Sequence, residues 1–283
     1  MRLIPAFNIL FLMVILSSPV HSKTATKTPP STEQTWLNIL KNSPIKQQII
    51  NLKTRQGTAT ALYLPQSSGQ PQGGLIILHG RAQHPDWHIL IEPLRTGFPK
   101  FGWATLSLQM PLHASTASSK DYIKSIDLSI ARIDAAIAFM HSRKIQNIVI
   151  AGYEFGANTA AAYLLKRPKS RVQALISISL LNYAKPEPLN ANRAMSLLKQ
   201  PILDVYAMND RNIILHAVKQ RKPLIKQHRN LNTQSRDPKN ARYRQLEIEG
   251  ADHSYSGYEQ YLIKRLRSWL RVFAPGKSIT HAN

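Results

Sequence analysis

Five short segments of the chain are almost continuously apolar. Strands that are buried on both faces have this pattern, whereas half-exposed strands alternate apolar and polar positions. Strands of this kind typically form a parallel sheet that is covered by helices. The five predicted strands are Leu75–Leu78, Ala104–Leu108, Ile148–Ala151, Ala174–Ile178 and Ile202–Tyr206.

A hairpin precedes these strands, because apolar and polar residues alternate over Ile45–Leu52 and Thr58–Leu64 around a turn. An eighth strand is predicted at Tyr243–Ile248, near the end of the chain. The pattern predicts an α/β fold: an eight-stranded, mostly parallel sheet with an N-terminal antiparallel hairpin and helices on both faces. The clearest helical patterns are Trp36–Lys41, Tyr122–Ser142 and Tyr258–Phe273.

Length and apolar content favour one domain. The 283 residues are 43% hydrophobic, which suffices for one large core and leaves little room for a second. We expect a single domain over residues 35–275 and a tail at 276–283. Residues 23–34 have linker composition, rich in threonine and proline, and are expected to form a flexible lead-in.

The first 22 residues have the features of a secretory signal peptide. One basic residue precedes an apolar run at Leu10–Leu16, and small residues precede a cleavage position after Ser22. An uncleaved anchor helix is the alternative, but Pro5 and Asn8 interrupt the segment, and the run is shorter than the roughly 20 residues that cross a bilayer. The chain has no cysteine, which excludes disulfides, thiolate chemistry and lipid attachment to cysteine. We therefore expect an exported protein, free in the periplasm.

The formal net charge is +22, and loss of the signal peptide leaves the chain strongly basic. Such a charge favours anionic partners, and an envelope lipid or glycan is the partner we consider. The most basic stretch, Lys219–Arg244, has only Asp237 as an opposing acid and only Tyr243 as an aromatic residue. A nucleic-acid site would interleave aromatic residues, so no nucleic acid is expected. We interpret this stretch as a solvated insertion before the last strand.

The segment IVIAGYEFGANTAAAYL, from Ile148 to Leu164, reads as a buried strand that turns into an alanine-rich helix. Gly152 and Gly156 stand two residues either side of Glu154, at the tip of the turn. Hydrolases use a strand, a tight glycine-flanked turn and a helix to expose a nucleophilic serine. Here a carboxylate stands in the place of that serine.

The chain resembles the α/β-hydrolase superfamily over nearly all of its mature length. That resemblance implies a nucleophile after the fifth strand, an acid after the seventh and a histidine after the eighth. These positions hold Glu154, Asp210 and His253. The resemblance also implies an oxyanion hole built from backbone donors at Gly80 and Phe155.

The stretches LHGRAQHPDW and GWATLSLQMP resemble, more narrowly, a family of exported Gram-negative proteins known as family 3530 of the domains of unknown function. That family is assigned to the α/β-hydrolase fold, so the resemblance implies an architecture and the position of a site. The residues expected to line the pocket are His79, Arg81, His84, Asp86, Trp87 and Tyr153.

Several roles for Glu154 remain open at this point. It could form an ester intermediate, as an aspartate does in some members of the superfamily, with His253 assisting the hydrolysis. It could instead form an ion pair with His253, or act as a general base on water. A turn that carries a glutamate without a chemical role is the simplest alternative. For the acid, Asp210 is preferred over Asp252 and over Asp204, which lies inside a strand and is expected to be buried and hydrogen-bonded.

The sequence HPDWH places His84, Asp86 and His88 close together, and these are ligand types suited to zinc. No second cluster supplies the remaining ligands at a recognisable spacing, so no metal and no other cofactor is expected. We interpret the loop as a cap on the pocket, with Trp87 packed down on it and Asp86 capping the next helix.

Two functions follow from these observations. The first is a monomeric periplasmic hydrolase that cleaves an ester or a similar bond of a small-molecule or acyl substrate, with Glu154 at the nucleophile position. The second is an inactive envelope binding or scaffold protein that keeps the fold and uses its basic surface.

Overall fold

The computed structural model describes residues 33–45, 48–113, 116–183, 189–229 and 242–276. The predicted signal peptide lies outside these residues, as do residues 23–32 of the predicted linker and all of the predicted tail after Gly276. Helix α1 (Glu33–Lys41) begins inside the segment that was expected to be a linker. An ion pair of 2.9 Å between Glu33 and Arg132 attaches the start of this helix to the domain.

The eight predicted strands are all present. Seven have longer bounds than the sequence pattern indicated, whereas the first begins at Ile49 and not at Ile45, and it ends at Thr54 and not at Leu52. The eight strands are β1 (Ile49–Thr54), β2 (Gly57–Leu64), β3 (Gly73–Leu78), β4 (Trp103–Leu108), β5 (Ile148–Tyr153), β6 (Val172–Ile178), β7 (Ile202–Asn209) and β8 (Tyr243–Asp252). Within the described residues they form one sheet in the order β1-β2-β4-β3-β5-β6-β7-β8. The β1–β2 and β2–β4 pairs are antiparallel, and the remaining pairs are parallel. The predicted fold class is therefore confirmed.

Helices cover both faces of this sheet. They are α2 (Ile91–Gly97), α3 (Ser119–Lys124), α4 (Ile126–Ser142), α5 (Phe155–Lys166), α6 (Ala191–Leu197), α7 (Asn212–Arg229) and α8 (Glu259–Phe273). One apolar cluster includes Ile133 of α4 and Ala161 of α5, and a second includes Ile91 of α2 and Leu266 of α8. Because strand side chains alternate between the two clusters, the central strands are apolar at most positions.

The helix predicted at Tyr122–Ser142 is divided in two at Ser125. The Ser125 hydroxyl donates to the Tyr122 carbonyl at 2.8 Å, and its backbone N–H bonds to the same carbonyl at 3.2 Å. A serine hydroxyl that bonds to a backbone carbonyl of the preceding turn competes with the backbone hydrogen bonds of a continuous helix. The apolar spacing runs through the break, which is why the pattern alone predicts one helix.

The prediction of a solvated insertion at Lys219–Arg244 is wrong for its first part, which belongs to α7. Arg221 of this helix is fully buried, and its guanidinium meets the buried carboxylate of Asp204 in β7 at 2.6 Å. Tyr243 also donates to Asp204, at 2.7 Å, so the expectation that Asp204 is buried and hydrogen-bonded is confirmed. A buried carboxylate requires such partners. Residues 230–241 of the stretch lie outside the described residues.

Parallel strands bring their carboxyl ends to one edge of the sheet, where ligands of open α/β sheets bind. The loops after β3, β5, β7 and β8 all start at this edge. No helix within the described part of the chain is long and apolar enough to cross a membrane.

Candidate functional site

The turn between β5 and α5 has the geometry of a nucleophile elbow. Glu154 stands at its tip with φ 51° and ψ −116°, a conformation that non-glycine residues rarely adopt. A Cβ added at Gly152 would lie 2.5 Å from the Ala157 nitrogen, and one at Gly156 would lie 2.3 Å from the Leu78 carbonyl oxygen. The two glycines therefore allow helix α5 to approach the strands closely enough to make the turn.

The carboxylate of Glu154 is buried, with 6% of the side chain exposed, and both of its oxygens accept hydrogen bonds. Oε1 accepts from the guanidinium of Arg211 at 2.8 Å and from that of Arg81 at 3.2 Å. Oε2 accepts from the backbone N–H of Arg81 at 3.2 Å. Charge-assisted bonds of this kind neutralise a carboxylate and fix its orientation.

The loop after β3 places two backbone N–H groups beside the elbow. The N–H of Gly80, which the resemblance implies as an oxyanion donor, donates to the side chain of Gln83 at 2.9 Å. The donor that faces the elbow is the N–H of Arg81, and Glu154 occupies it. Gly80 lies directly against the elbow, since an added Cβ would be 2.9 Å from Oε2 of Glu154. Phe155 begins α5, and its ring packs edge-on against Tyr122 at 5.3 Å.

Asp210 and His253 are brought together after β7 and β8. Nδ1 of His253 lies 2.6 Å from Oδ1 of Asp210, in a short hydrogen bond. Oδ2 of Asp210 accepts from the hydroxyl of Ser179 at 2.5 Å, and Tyr255 bonds to the same hydroxyl at 2.8 Å. Burial alone would raise the pKa of Asp210, but the hydrogen bonds from His253 and Ser179 hold the pKa below its ordinary value. The carboxylate therefore orients the imidazole as the acid of a hydrolase does.

Tyr153 completes this side of the site from the end of β5. Its hydroxyl donates to the backbone carbonyl of His253 at 2.9 Å, and the two rings lie 5.5 Å apart. Burial raises the pKa of Tyr153, so the phenol stays protonated and remains a donor.

The polar pairs of the site divide into two groups. Among the described residues, Glu154 forms ion pairs with Arg81 and Arg211, and the imidazole of His253 is hydrogen-bonded to Asp210. The ion pair between Glu154 and His253 that the sequence left open is therefore not formed. The reason is that two arginines, from the loops after β3 and β7, reach the carboxylate instead.

His79 lies in the site's floor and supports the backbone. It is 1% exposed, its Nδ1 bonds to the Gly80 carbonyl at 2.8 Å, and its Nε2 accepts from the Met110 N–H at 2.9 Å. Burial lowers the pKa of His79 to about 3, so the ring is neutral at physiological pH. It ties the loop after β3 to the loop after β4.

The HPDWH loop is held by packing and by an ion pair. The His84 ring stacks on Trp36 at 3.7 Å, and burial lowers its pKa to about 4. Asp86 pairs with the buried guanidinium of Arg95 and does not cap α2, whose first turn has no side-chain cap. Trp87 packs against the apolar cluster of α2 and α8. In the described residues no group of three or more carboxylate and histidine side chains is arranged to hold a metal ion.

The family model for Protein of unknown function (DUF3530) matches residues 13–125 and 123–272, which is most of the chain. The chain belongs to the DUF3530 family. In a sequence comparison, no curated protein matches it.

Solved structures of α/β hydrolases have the same fold as this DUF3530 protein. The esterase Pf2001 of Pyrococcus furiosus is 15% identical, with a TM-score of 0.63 over 82% of this chain and 95% of that one. Est1E of Butyrivibrio proteoclasticus is 13% identical, with a TM-score of 0.58 over 79% and 97%. XC6422 of Xanthomonas campestris, described as a serine hydrolase without a lid, is 14% identical, with a TM-score of 0.57 over 81% and 96%. At such identities the likeness establishes the fold.

Sequence reasoning missed three side chains that complete the site, namely Arg211, Ser179 and Tyr255. Arg211 directly follows Asp210, and this position at the end of β7 was the available signal. Ser179 follows β6 with φ 49°, and Tyr255 has φ 59°. Both conformations are uncommon for such residues, and the contacts of Ser179 with Asp210 and of Tyr255 with Ser179 are tertiary contacts that the local sequence does not specify.

Proposed function

We propose that this DUF3530 protein is a non-hydrolytic binding protein of the cell envelope, which uses the carboxyl edge of its sheet to hold an anionic amphiphile. The observation that carries the proposal is the hydrogen bond from the Arg81 N–H to Oε2 of Glu154 at 3.2 Å. The carboxylate fills the position in which a hydrolase would stabilise the oxyanion of its substrate. Export to the periplasm, as the first 22 residues predict, is part of this proposal.

The first supporting argument concerns the transition state. An oxyanion donor contributes on the order of 10²–10³ to the rate of acyl transfer. In this protein a substrate carbonyl would have to displace a charged acceptor, Glu154, from the Arg81 N–H. A fixed negative charge at this position would also oppose the alkoxide that develops during attack.

The second argument concerns Glu154 as a nucleophile or a base. Either role requires a free lone pair directed at the substrate or at water. Oε1 accepts from two guanidinium groups and Oε2 from one backbone N–H, so three of the roughly four lone-pair positions of the carboxylate are occupied and only Oε2 keeps a free one. Formation of an ester would also remove the negative charge that pairs with Arg81 and Arg211.

The kind of ligand follows from the side chains around the carboxylate. The side chains of Arg81 and Arg211 are 29% and 51% exposed, so both guanidinium groups also reach the solvent side of the site. Met208 and Ile213, on either side of Arg211 in sequence, are exposed apolar residues. An anionic head group at the arginines, with an apolar chain against Met208 and Ile213, matches both features. This combination favours a lipid over a glycan.

A hydrolase remains the second candidate because the acid and histidine are in place. The bond of 2.6 Å between Asp210 and His253 has the geometry that orients a catalytic imidazole. Hydrolysis would require the Glu154 carboxylate to break its ion pairs with Arg81 and Arg211 during the reaction.

Two measurements on the mature chain from Lys23 test the proposal. We expect no turnover of a panel of short and long acyl esters, amides, epoxides and haloalkanes. We expect binding of a fluorescent long-chain fatty acid that weakens roughly fivefold in Arg211→Gln and less in Ile213→Ser. Lys222→Gln, which removes one exposed positive charge from α7 outside the site, is the matched control and should bind as the wild type does.

Two results would overturn the proposal. One is turnover by the wild type that is lost in Glu154→Gln, since this would assign the chemistry to the carboxylate. The other is fatty-acid binding that falls equally in Arg211→Gln and Lys222→Gln, since this would reflect net charge and not a site.

A further inference from the structure

A cavity of about 270 Å³ lies at the opposite edge of the sheet from Glu154. It is bordered by the loop between β2 and β3, by the turn at Pro99–Phe101 before β4, and by the C-terminal half of α8, and it is open to solvent. Because β3 and β4 run parallel, this edge carries their amino ends, whereas Glu154 follows the carboxyl end of β5. The cavity is therefore separate from the site described above.

Three cationic side chains line this cavity: Lys100, Arg267 and Arg271. No aspartate or glutamate is among the lining residues, and none of the three cations has an ion pair with a carboxylate of the described residues. Like charges that share a concave surface repel one another, and an anion placed between them relieves this repulsion. The side-chain amides of Gln70 and Gln72 add neutral donors to the same wall.

Two of the cations are positioned by an aromatic ring. The guanidinium of Arg267 lies 4.2 Å from the ring centroid of Phe101, and the ammonium of Lys100 lies 5.2 Å from it. A cation over the face of an aromatic ring is attracted by the negative charge of that face. These contacts restrict both side chains to the cavity wall without neutralising their charge.

The backbone around the cavity is also fixed before any ligand binds. The N–H of Ser67 bonds to the Pro99 carbonyl at 2.9 Å, and that of Gln72 bonds to the Gly102 carbonyl at 2.7 Å. Gly102 has φ +87°, and a Cβ there would lie 2.2 Å from the Gln70 carbonyl oxygen, so only glycine permits this approach. A wall that is ordered in advance lowers the entropic cost of binding.

We propose that this cavity is a second binding site, which takes a phosphate-bearing anion. A phosphate group carries up to two charges and several acceptor oxygens, which suits two guanidinium groups, one ammonium group and neutral amide donors. The volume is just below the roughly 300–1,000 Å³ of typical small-molecule pockets. It therefore suits a phosphate or diphosphate group, either as a free ion or as part of a larger molecule that extends into solvent.

Calorimetric titration of the folded mature chain at low salt, with inorganic phosphate and pyrophosphate as probes, tests this site. We expect pyrophosphate to bind more tightly than phosphate, and its affinity to fall roughly tenfold in the Arg267→Gln/Arg271→Gln variant. The matched control is Lys264→Gln/Arg265→Gln, which removes two exposed charges from the same helix outside the cavity. This control should change the affinity less than about twofold. Circular dichroism and thermal unfolding establish that each variant is folded.

The outcomes separate the sources of the phosphate group. Binding of pyrophosphate supports a soluble ligand, whereas binding only to sedimented phosphatidylglycerol vesicles, with loss in Arg267→Gln/Arg271→Gln, supports a lipid head group. An equal loss of affinity in the two double variants would overturn the proposal, because it would show attraction by net charge alone. So would the failure of the wild type to bind any of the three probes.

Discussion

The carboxyl edge of the sheet has two halves, an acid half with Asp210 and His253 and an elbow half with Glu154. The carboxylates of the two halves have different hydrogen-bond partners. Asp210 accepts from Ser179 and lies 2.6 Å from His253, as the orienting acid of a hydrolase would. Glu154 instead accepts hydrogen bonds from two arginines and a backbone N–H. These bonds stabilise its ionised carboxylate in one orientation. Arg211 joins the halves, because its N–H donates to Asp210 and its guanidinium to Glu154. The carboxyl edge of the sheet thus carries a hydrogen-bonded aspartate–histidine pair beside a glutamate that is held in ion pairs.

The length of the side chain explains how one residue makes this difference. A glutamate at the elbow extends across Gly80 to the Arg81 N–H, and an added Cβ on Gly80 would lie 3.2 Å from the Glu154 Cβ. A serine at the same position would leave the Arg81 N–H open. The comparison therefore predicts that Asp210 and His253 will activate a serine placed at position 154.

The largest expected effect comes from Glu154→Ser. The change opens the Arg81 N–H as an oxyanion donor and places a hydroxyl at the tip of the elbow, so we expect turnover of short acyl esters at least roughly 100-fold above the rate without enzyme. The measurement is hydrolysis of a chromogenic ester, together with labelling by a fluorophosphonate probe.

The control for this experiment is Glu154→Ser/His253→Gln, which should lose the new activity. If folded Glu154→Ser is neither labelled nor active, the presence of Glu154 in place of a serine is not what prevents hydrolysis. That result would contradict the comparison.

The next largest effect is expected for Asp210→Asn. This carboxylate is buried and accepts from Ser179, His253 and the Arg211 N–H, so its replacement should lower the free energy of unfolding by about 2 kcal/mol. Urea denaturation measures the change. Asp252→Asn, at an exposed position beside the histidine, is the comparison and should cost less than about 1 kcal/mol. Equal costs would show that the acid half is not a pre-formed unit.

The acid half should also give the protein a characteristic pH dependence. The folded-state pKa of Asp210 is lowered from the ordinary 3.8, so the folded protein favours the ionised form more than the unfolded chain does. This contribution to stability is present above about pH 4 and is lost as the pH falls through the lower folded-state pKa. Urea denaturation at several pH values should show the wild type losing more stability than Asp210→Asn below pH 4. Parallel losses would contradict the assignment.

The smallest effect is expected for Arg211→Gln on stability. Half of its side chain is exposed, and Arg81 continues to pair with Glu154, so the loss should be about 1 kcal/mol or less. Urea denaturation beside Lys222→Gln checks this value. A loss of several kcal/mol would mean that Glu154 depends on Arg211 alone.

The sequence allowed prediction of those parts of the fold and site that depend on local pattern. Apolar runs located five strands, alternation of apolar and polar residues located the hairpin, and the glycines around Glu154 indicated the elbow. The resemblance to α/β hydrolases implied the positions of Asp210 and His253, which are hydrogen-bonded to each other in the structure. The contacts of Glu154 were not predictable in this way, because Arg81 and Arg211 are 73 and 57 residues away and their reach depends on loop geometry.

The same limit explains the error at α7. The charge pattern of Lys219–Arg244 indicated solvent exposure. Arg221 is instead fully buried in α7, where it neutralises the carboxylate of Asp204 in β7. A buried ion pair has no local signature, because each partner, taken alone, has the composition of a surface residue. A lone aspartate inside an apolar strand was the only indication that a cation must lie nearby.

The central claim is that the Glu154 carboxylate is a fixed partner of Arg81 and Arg211 and not a nucleophile. Incubation of the wild type in heavy-oxygen water with epoxides and haloalkanes tests it directly, because hydrolysis of an ester intermediate transfers solvent oxygen to the carboxylate. Mass spectrometry of the peptide that contains Glu154 reads the result. We predict no heavy oxygen in this peptide beyond that of a sample without substrate. Substrate-dependent incorporation at Glu154 would contradict the account and establish a carboxylate enzyme.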